Sequence, residues 1–187
     1  MKTLQEISEK WENKADVGHG DKGTTHSYIP EYERLLSPYR NKDINFLEIG
    51  VAYGESLEMW YEYFSNNSKI YGIDNQTQEI APYLNDKRFD IFITDQTSPL
   101  LTPYYENVKF DIIIDDGSHM FNHQKESFHL LKHHMNKGGT YIIEDVNSLD
   151  QRKEEFLHLK GVSWDCEIID LREEKGRHDD VLIAYKF

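Results

Sequence analysis

Short apolar runs recur along this chain, each closed by a glycine or a polar, mostly acidic residue. Asn45-Phe-Leu-Glu-Ile49 runs into Gly50, and Lys69-Ile-Tyr-Gly-Ile-Asp74, Phe89-Asp-Ile-Phe-Ile-Thr94, Phe110-Asp-Ile-Ile-Ile-Asp115 and Thr140-Tyr-Ile-Ile-Glu144 follow. Runs this short and this apolar read as strands buried on both faces. Helical spacing fills two of the gaps. Leu57, Trp60, Tyr61 and Phe64 mark one face of a helix from Ser56 to Phe64, and a second helix is expected from about Asn122 to Met135, with Lys137-Gly-Gly139 as its C-cap. Strands alternating with helices predict a parallel sheet covered on both sides. The tail departs from this, because Trp164–Leu171 and Val181–Phe187 are separated only by the polar turn Arg172–Asp180 and should pair as an antiparallel hairpin. The expected fold is therefore α/β, a doubly wound, Rossmann-like sheet of about seven strands whose last two form that hairpin.

Residues 1–43 are polar and read as an N-terminal helical segment, with helices at about Leu4–Asn13 and Ile29–Leu36. The glycine-bearing loop Gly18–Gly23 between them is expected to be flexible or ordered by a ligand. Residues 44–187 are expected to hold the sheet as one domain. The 34 acidic against 21 basic residues leave a net charge of -13, which argues against nucleic acid or an anionic membrane as partner. No apolar run approaches the ~20 residues that span a bilayer. Met1–Lys14 lacks the apolar core of a secretory signal, and the lone Cys166 fits a reducing compartment, so a cytoplasmic location is expected. A homo-oligomer stays open.

Ligands of open α/β sheets bind at the carboxyl ends of the strands. The first strand leads into Glu48-Ile-Gly-Val-Ala-Tyr-Gly54, where Gly50 and Gly54 permit a tight turn against a ligand. The spacing lacks the third glycine of dinucleotide sites, and the acid before the loop suits a ligand bearing an amino group; the alternative is an ordinary βα turn. Asp74, at the end of the second strand, is placed to accept ribose hydroxyls, and Asp95-Gln96 after the third to meet an adenine amino group. Asp115-Asp116-Gly-Ser-His119 and Glu144-Asp145 follow the fourth and fifth strands. If those strands are neighbours, Asp116, Glu144 and Asp145 converge as oxygen ligands suited to Mg²⁺, with His119 beside them as a base. The alternative makes the carboxylates helix caps and His119 a surface residue.

The other notable groups read as structural. His119/His123 and His129/His133 have the i, i+4 spacing of metal pairs, yet no zinc-protease pattern follows, so His129, His133 and His134 are expected on a solvated helix face. Asp179-Asp180 are expected only to end a turn, and Trp60, Tyr61, Tyr63 and Phe64 to belong to the core.

Together with Asp21-Lys-Gly23, His26 and Tyr28, these segments resemble the class I S-adenosylmethionine-dependent methyltransferases. Within that class they are most similar to the metal-dependent sugar O-methyltransferases of macrolide biosynthesis, of the mycinamicin and macrocin type. The resemblance spans about Gly20 to Asp145, and its specific parts are Ile114-Asp-Asp-Gly-Ser-His119 and Gly138-Gly-Thr-Tyr-Ile-Ile-Glu-Asp145. It implies S-adenosylmethionine and Mg²⁺ as cofactors and a small-molecule hydroxyl, such as that of a sugar, as acceptor. Glu48, Gly50, Tyr53 and Ser56 would line the methionine end, Asp74 the ribose, and Asp95 with Gln96 the adenine, with Gly54 and Asp115 also among the cofactor-binding residues. Asp116, Glu144 and Asp145 would hold the metal, with Asp116 and His119 catalytic and His119 the general base. Asp21–Tyr28 is expected to fold over the cofactor as a lid. Other readings are a relative of the cephalosporin-hydroxylase-like proteins, a catalytically silent cofactor-binding partner, and a dinucleotide oxidoreductase, the last disfavoured by the missing glycine.

Overall fold

A computed structural model of the chain describes residues 2–12, 20–76, 86–159, 161 and 164–187, the side chains of residues 11 and 12 excepted. Asn13, Gly18 and His19, which the sequence reading placed in the first helix and the loop after it, lie outside the described residues. Seven strands form one sheet: β1 (Asn45–Ile49), β2 (Lys69–Asp74), β3 (Phe89–Ile93), β4 (Phe110–Asp115), β5 (Met135–Ile143), β6 (Asp165–Asp170) and β7 (Val181–Lys186). Their order is β3-β2-β1-β4-β5-β7-β6. The first five pair in parallel, while β7 is antiparallel to both β5 and β6. The doubly wound sheet and its closing hairpin are thus as expected.

Strand alternation divides the core into two layers. Phe46, Ile112, Ile114 and Ile142 face α1 (Leu4–Glu12), α2 (Ile29–Leu36) and α3 (Glu55–Tyr63), where Leu4, Ile7, Tyr32, Leu36 and Trp60 are buried. Leu47, Ile49, Ile113 and Ile143 face the other way. They pack with α4 (Leu101–Tyr104), α5 (Phe121–Leu131) and α6 (Leu149–Leu159) through Leu101, Phe128, Leu131 and Phe156. Trp60, Tyr63 and Phe64 are core residues, as their spacing suggested, and Tyr61 packs against them. The N-terminal helices therefore share a core with the sheet. Among the described residues no helix is long and apolar enough to cross a membrane.

Three expectations need correction. Helix α5 stops at Leu131, and Lys137-Gly-Gly139 lies inside β5 rather than capping a helix. The glycines instead serve a break in register, where Phe110 pairs with Met135 but Ile112 pairs with Thr140. Gly138 has φ +81, and a Cβ on Gly139 would stand 2.9 Å from the Asp111 carbonyl oxygen. His134 is buried, with Nδ1 3.3 Å from the Val108 carbonyl, because a 3-10 turn (Lys132–His134) tucks it beneath β4, whereas His129 and His133 are exposed as expected. The turn before β7 also holds a short helix, α7 (Arg172–Lys175). Helix α6 had no counterpart in the sequence reading; it buries only Leu149, Phe156 and Leu159, too sparse a stripe to show a period.

Phe128 joins the second layer, its ring 4.7 Å from Tyr185 and 5.0 Å from Tyr141. Phe128→Ala is expected to cost about 3–5 kcal/mol, read as a lower urea midpoint at unchanged m-value.

Candidate active site

A cleft of about 720 Å³ opens at the carboxyl ends of β1 to β4. Gly50, Tyr53, Ser56, Asp74, Asp95, Gln96, Asp116 and His119 line it, together with Asp21 and Lys22 from the N-terminal segment. Gly50 has φ +83, and a Cβ there would lie 2.0 Å from the Asp116 carbonyl oxygen, so only glycine lets β1 turn this close to β4. Gly54, also left-handed at φ +86, starts α3. At the far side, the Asp74 carboxylate accepts the Ala52 and Gln76 amides, each at 2.8 Å, which fixes it on the rim. Asp95 accepts Thr97 N–H and Oγ1–H at 2.8 and 2.6 Å, and these bonds hold its carboxyl below the usual range.

Two expected site residues, Glu48 and Asp115, pack beneath the cleft instead of lining it, and Gln96, which does line it, is engaged by the protein itself. Glu48 lies on the α3 side of β1, where its carboxylate accepts Ser56 Oγ–H at 2.6 Å and Trp60 Nε1–H at 3.2 Å. Asp115 is fully buried, and burial above all pushes its carboxyl up to about 7. The Gln96 amide is held by protein partners, donating to Ser127 Oγ at 2.8 Å and accepting Ser118 N–H at 2.7 Å. Asp95 is thus the freer group of that pair.

Asp116 stands between the other two carboxylates: its ligand atoms group with those of Glu48 and Glu144 on one side and with those of His119 and Asp145 on the other, and a lysine to which the sequence reading gave no role stands on the Glu144 side. The Lys22 ammonium is 2.7 Å from Asp116 Oδ2, 2.6 Å from Glu144 Oε1 and 3.6 Å from Glu48 Oε1. Burial opposes its charge, but the three carboxylates outweigh burial and raise its pKa. Tyr32 Oη also donates to Glu144 Oε1, yet burial keeps the Glu144 pKa well above the usual range. Asp145 accepts Tyr28 Oη–H at 2.7 Å and faces His26 Nε2 at 3.5 Å. His119 bridges the two sides, Nε2 3.3 Å from Asp116 Oδ1 and Nδ1 3.5 Å from Asp145 Oδ2. Burial lowers its basicity, but the bond to Asp116 and the charge of Asp145 override this and push the imidazole up to about 9. Ligand atoms of Asp116, His119 and Asp145 lie within 4.8 Å of one another, close enough to share an ion.

Backbone strain marks the same place. Among the described residues the non-glycine positions with positive φ are Ala52, His119 and Asp145, at +46, +57 and +51. Such conformations cost about 1–3 kcal/mol each and gather at functional sites.

Sequence reasoning gave no role to the groups that hold the N-terminal segment in place. Lys175 Nζ donates to the carbonyls of Gly23, Thr24 and His26 at 2.6, 3.0 and 2.6 Å. Asp180 does more than end a turn: fully buried, it accepts Ser27 N–H at 3.1 Å and faces His26 Nδ1 at 3.4 Å. The available signal for Lys22, His26 and Tyr28 was the motif Asp21-Lys-Gly23 with its following histidine and tyrosine. Nothing in the sequence marked Lys175.

The sequence profile described as a methyltransferase domain matches residues 47–146. The chain belongs to this methyltransferase family. It is 38% identical over 133 residues to demethylmacrocin O-methyltransferase of Streptomyces fradiae, a match covering 66% of this chain and 33% of that protein. Identity to mycinamicin VI 2''-O-methyltransferase of Micromonospora griseorubida is 34% over 133 residues, 66% of this chain and 32% of the relative. Among solved structures, a mycinamycin-pathway methyltransferase in complex with Mg, SAH and mycinamycin VI is similar with TM-score 0.66 and 32% identity, over 81% of this chain and 39% of that one. The chain spans about one third of the length of the curated relatives it matches.

Lys175→Ala removes the anchor of residues 23–26 while leaving both core layers intact. Limited proteolysis within residues 20–28 should then run roughly tenfold faster, as expected for loss of about one charged hydrogen bond's worth of local stability. The urea midpoint should barely move. Unchanged cleavage would mean that Lys175 does not hold the segment.

Proposed function

We propose that the chain catalyses S-adenosylmethionine-dependent, Mg²⁺-assisted O-methyl transfer to a hydroxyl of a sugar or another polyhydroxylated small molecule. The observation that carries this reading is His119, held between Asp116 and Asp145 on the wall of the cleft that Asp74 closes at its other side. Relatives named as O-methyltransferases of demethylmacrocin, mycinamicin VI and a rhamnosyl tetracenomycin support the acceptor class.

The residues fit both groups. A cleft of about 720 Å³ is of the size that takes a nucleoside-bearing ligand. Gly50 leaves its wall bare; Asp74 and Asp95 would meet the ribose hydroxyls and an adenine amino group, and Tyr53 and Ser56 would line the methionine end, with Gly54 turning the chain into α3 between them. Glu48 and Asp115 serve from beneath and Gln96 from the wall, by fixing Ser56 and the loop at Gly117 and Ser118. Asp116, Glu144 and Asp145 offer the carboxylate oxygens that Mg²⁺ prefers.

S-adenosylmethionine supplies, when bound, a methyl group made electrophilic by its sulfonium charge. Mg²⁺, when bound, supplies positive charge that competes with His119 for Asp116 and Asp145 and lowers the pKa of a nearby hydroxyl. His119 takes the acceptor's proton at Nε2, while Asp145 orients the ring from the Nδ1 side. Asp74 and the Gly50 turn hold the donor so that oxygen and methyl carbon meet in line. Residues 21–28 act as a lid that excludes water, residues 1–43 being the N-terminal segment and 44–187 the catalytic domain. A cytoplasmic location belongs to the same reading.

Calorimetry should detect S-adenosylhomocysteine binding and no NAD binding; the reverse result would reject the donor assignment. With glycosylated acceptors screened by intact mass, EDTA should abolish methyl transfer and Mg²⁺ restore it. His119→Ala is expected to lower kcat by about 10²–10⁴ with S-adenosylhomocysteine affinity nearly unchanged. A fully active variant would remove His119 as the base.

A further inference from the structure

The two carboxylate oxygens of Asp145 have different surroundings. Tyr28, fully buried, donates its hydroxyl to Asp145 Oδ1 at 2.7 Å and accepts the Asp145 backbone N–H at 3.3 Å. One phenol therefore ties the side chain of this residue to its own left-handed backbone, at φ +51. His26 Nε2 stands 3.5 Å from the same Oδ1, and its ring stacks on Tyr28 with centroids 4.7 Å apart. Oδ2 is the oxygen on the side of the catalytic imidazole, 3.5 Å from His119 Nδ1.

The turn before β7 supports this grip. His26 Nδ1 faces the fully buried Asp180 at 3.4 Å, and Tyr28 Oη lies 3.1 Å from the Asp179 carbonyl. Lys175 holds the His26 carbonyl at 2.6 Å. Two rings of the N-terminal segment are thus pressed, from behind, against one oxygen of a strand-end carboxylate. A carboxylate with one oxygen taken in this way meets an ion through the other. The distinction matters to the choice of ion. Mg²⁺ demands a near-ideal octahedron at about 2.0–2.1 Å, whereas Ca²⁺ accepts carboxylates through one or both oxygens at about 2.3–2.6 Å.

We infer that Tyr28 and His26 set the ion selectivity of the acidic centre, by making Asp145 a one-oxygen ligand through Oδ2. Both are positioning residues that act through Asp145, and residues 21–28 then belong to the metal centre as well as to the lid. This rests on the reading that Asp116, Glu144 and Asp145 together hold Mg²⁺.

The test is calorimetry on the full chain, comparing Mg²⁺ with Ca²⁺ and using S-adenosylhomocysteine as the control ligand. The wild type should bind Mg²⁺ more tightly than Ca²⁺. Tyr28→Phe keeps the ring and frees Oδ1, so it should move the Mg²⁺/Ca²⁺ affinity ratio about tenfold towards Ca²⁺, with S-adenosylhomocysteine affinity nearly unchanged. His26→Phe, which keeps the stacked ring but loses both nitrogens, should move it in the same direction. Residues that served only to fasten the lid would weaken both ions alike. An unchanged ratio in either variant therefore overturns the inference while leaving the metal-assisted function standing, and so does a wild type that prefers Ca²⁺. A wild type that binds neither ion overturns the metal-assisted reading and this inference with it.

Discussion

Carboxylates at the ends of buried strands are the constraint on which this structure turns. Glu48, Glu144 and Asp145 are nearly inaccessible, and burying an ionised group without a partner is prohibitive. No cation within β1, β4 or β5 reaches them. Compensation comes instead from a segment more than ninety residues away for Asp116 and more than a hundred for Glu144, through Lys22, Tyr32 and Tyr28. The N-terminal segment is thus fastened to the sheet by charge as well as by the apolar face of α2. A site that looks like the property of the strand ends belongs equally to the chain that precedes them.

Register makes the convergence precise. Ile49 pairs with Asp115, and Asp115 pairs with Ile143, so the residues that follow, Gly50, Asp116 and Glu144, step off the sheet side by side. The ladder continues past the strands, with Asp116 N–H bonded to the Ile49 carbonyl and Glu144 N–H to the Asp115 carbonyl, both at 2.9 Å. A glycine at the first of these positions leaves room for the backbone of the second. The left-handed turns at His119 and Asp145 then bring an imidazole and a carboxylate back over the gap. Sheet geometry fixes the backbone positions, while strained loops aim the side chains.

Much of this was legible in the residues. Apolar runs ending in an acid, a glycine or, for β3, a threonine located β1, β2, β3 and β4 closely, and the hairpin followed from a polar turn too short for a crossover. What escaped were features whose meaning is tertiary. Gly138-Gly139 reads equally well as a helix cap or a strand irregularity, and only the contact with Asp111 decides between them. Asp180 reads as a turn residue until His26 and Ser27 are seen against it. Lys175 lies on an exposed turn with no pattern around it, and its role exists only because the carbonyls of Gly23, Thr24 and His26 converge on its ammonium. Ion pairs across such sequence separations leave no period, so the residues that complete the site were the hardest to find.

The order of the N-terminal segment and the charge state of the centre are consequently one equilibrium. Lys22 is positioned by a backbone that Lys175 and Asp180 hold, and that backbone is held in turn by the carboxylates Lys22 neutralises. Interactions coupled in this way are reciprocal: whatever steadies the latch strengthens the pairing at the centre, and whatever weakens the pairing loosens the latch. The apolar contacts of Ile29, Leu35 and Leu36 lie in the core layer and involve none of these charges, whereas Tyr32 joins the two through its bond to Glu144. The structure therefore separates a permanently packed helix, α2, from a short charged strap before it. Asp21 and Lys22 of that strap line the cleft, and the ion pairs that hold Lys22 answer to whatever charge a ligand brings into the site.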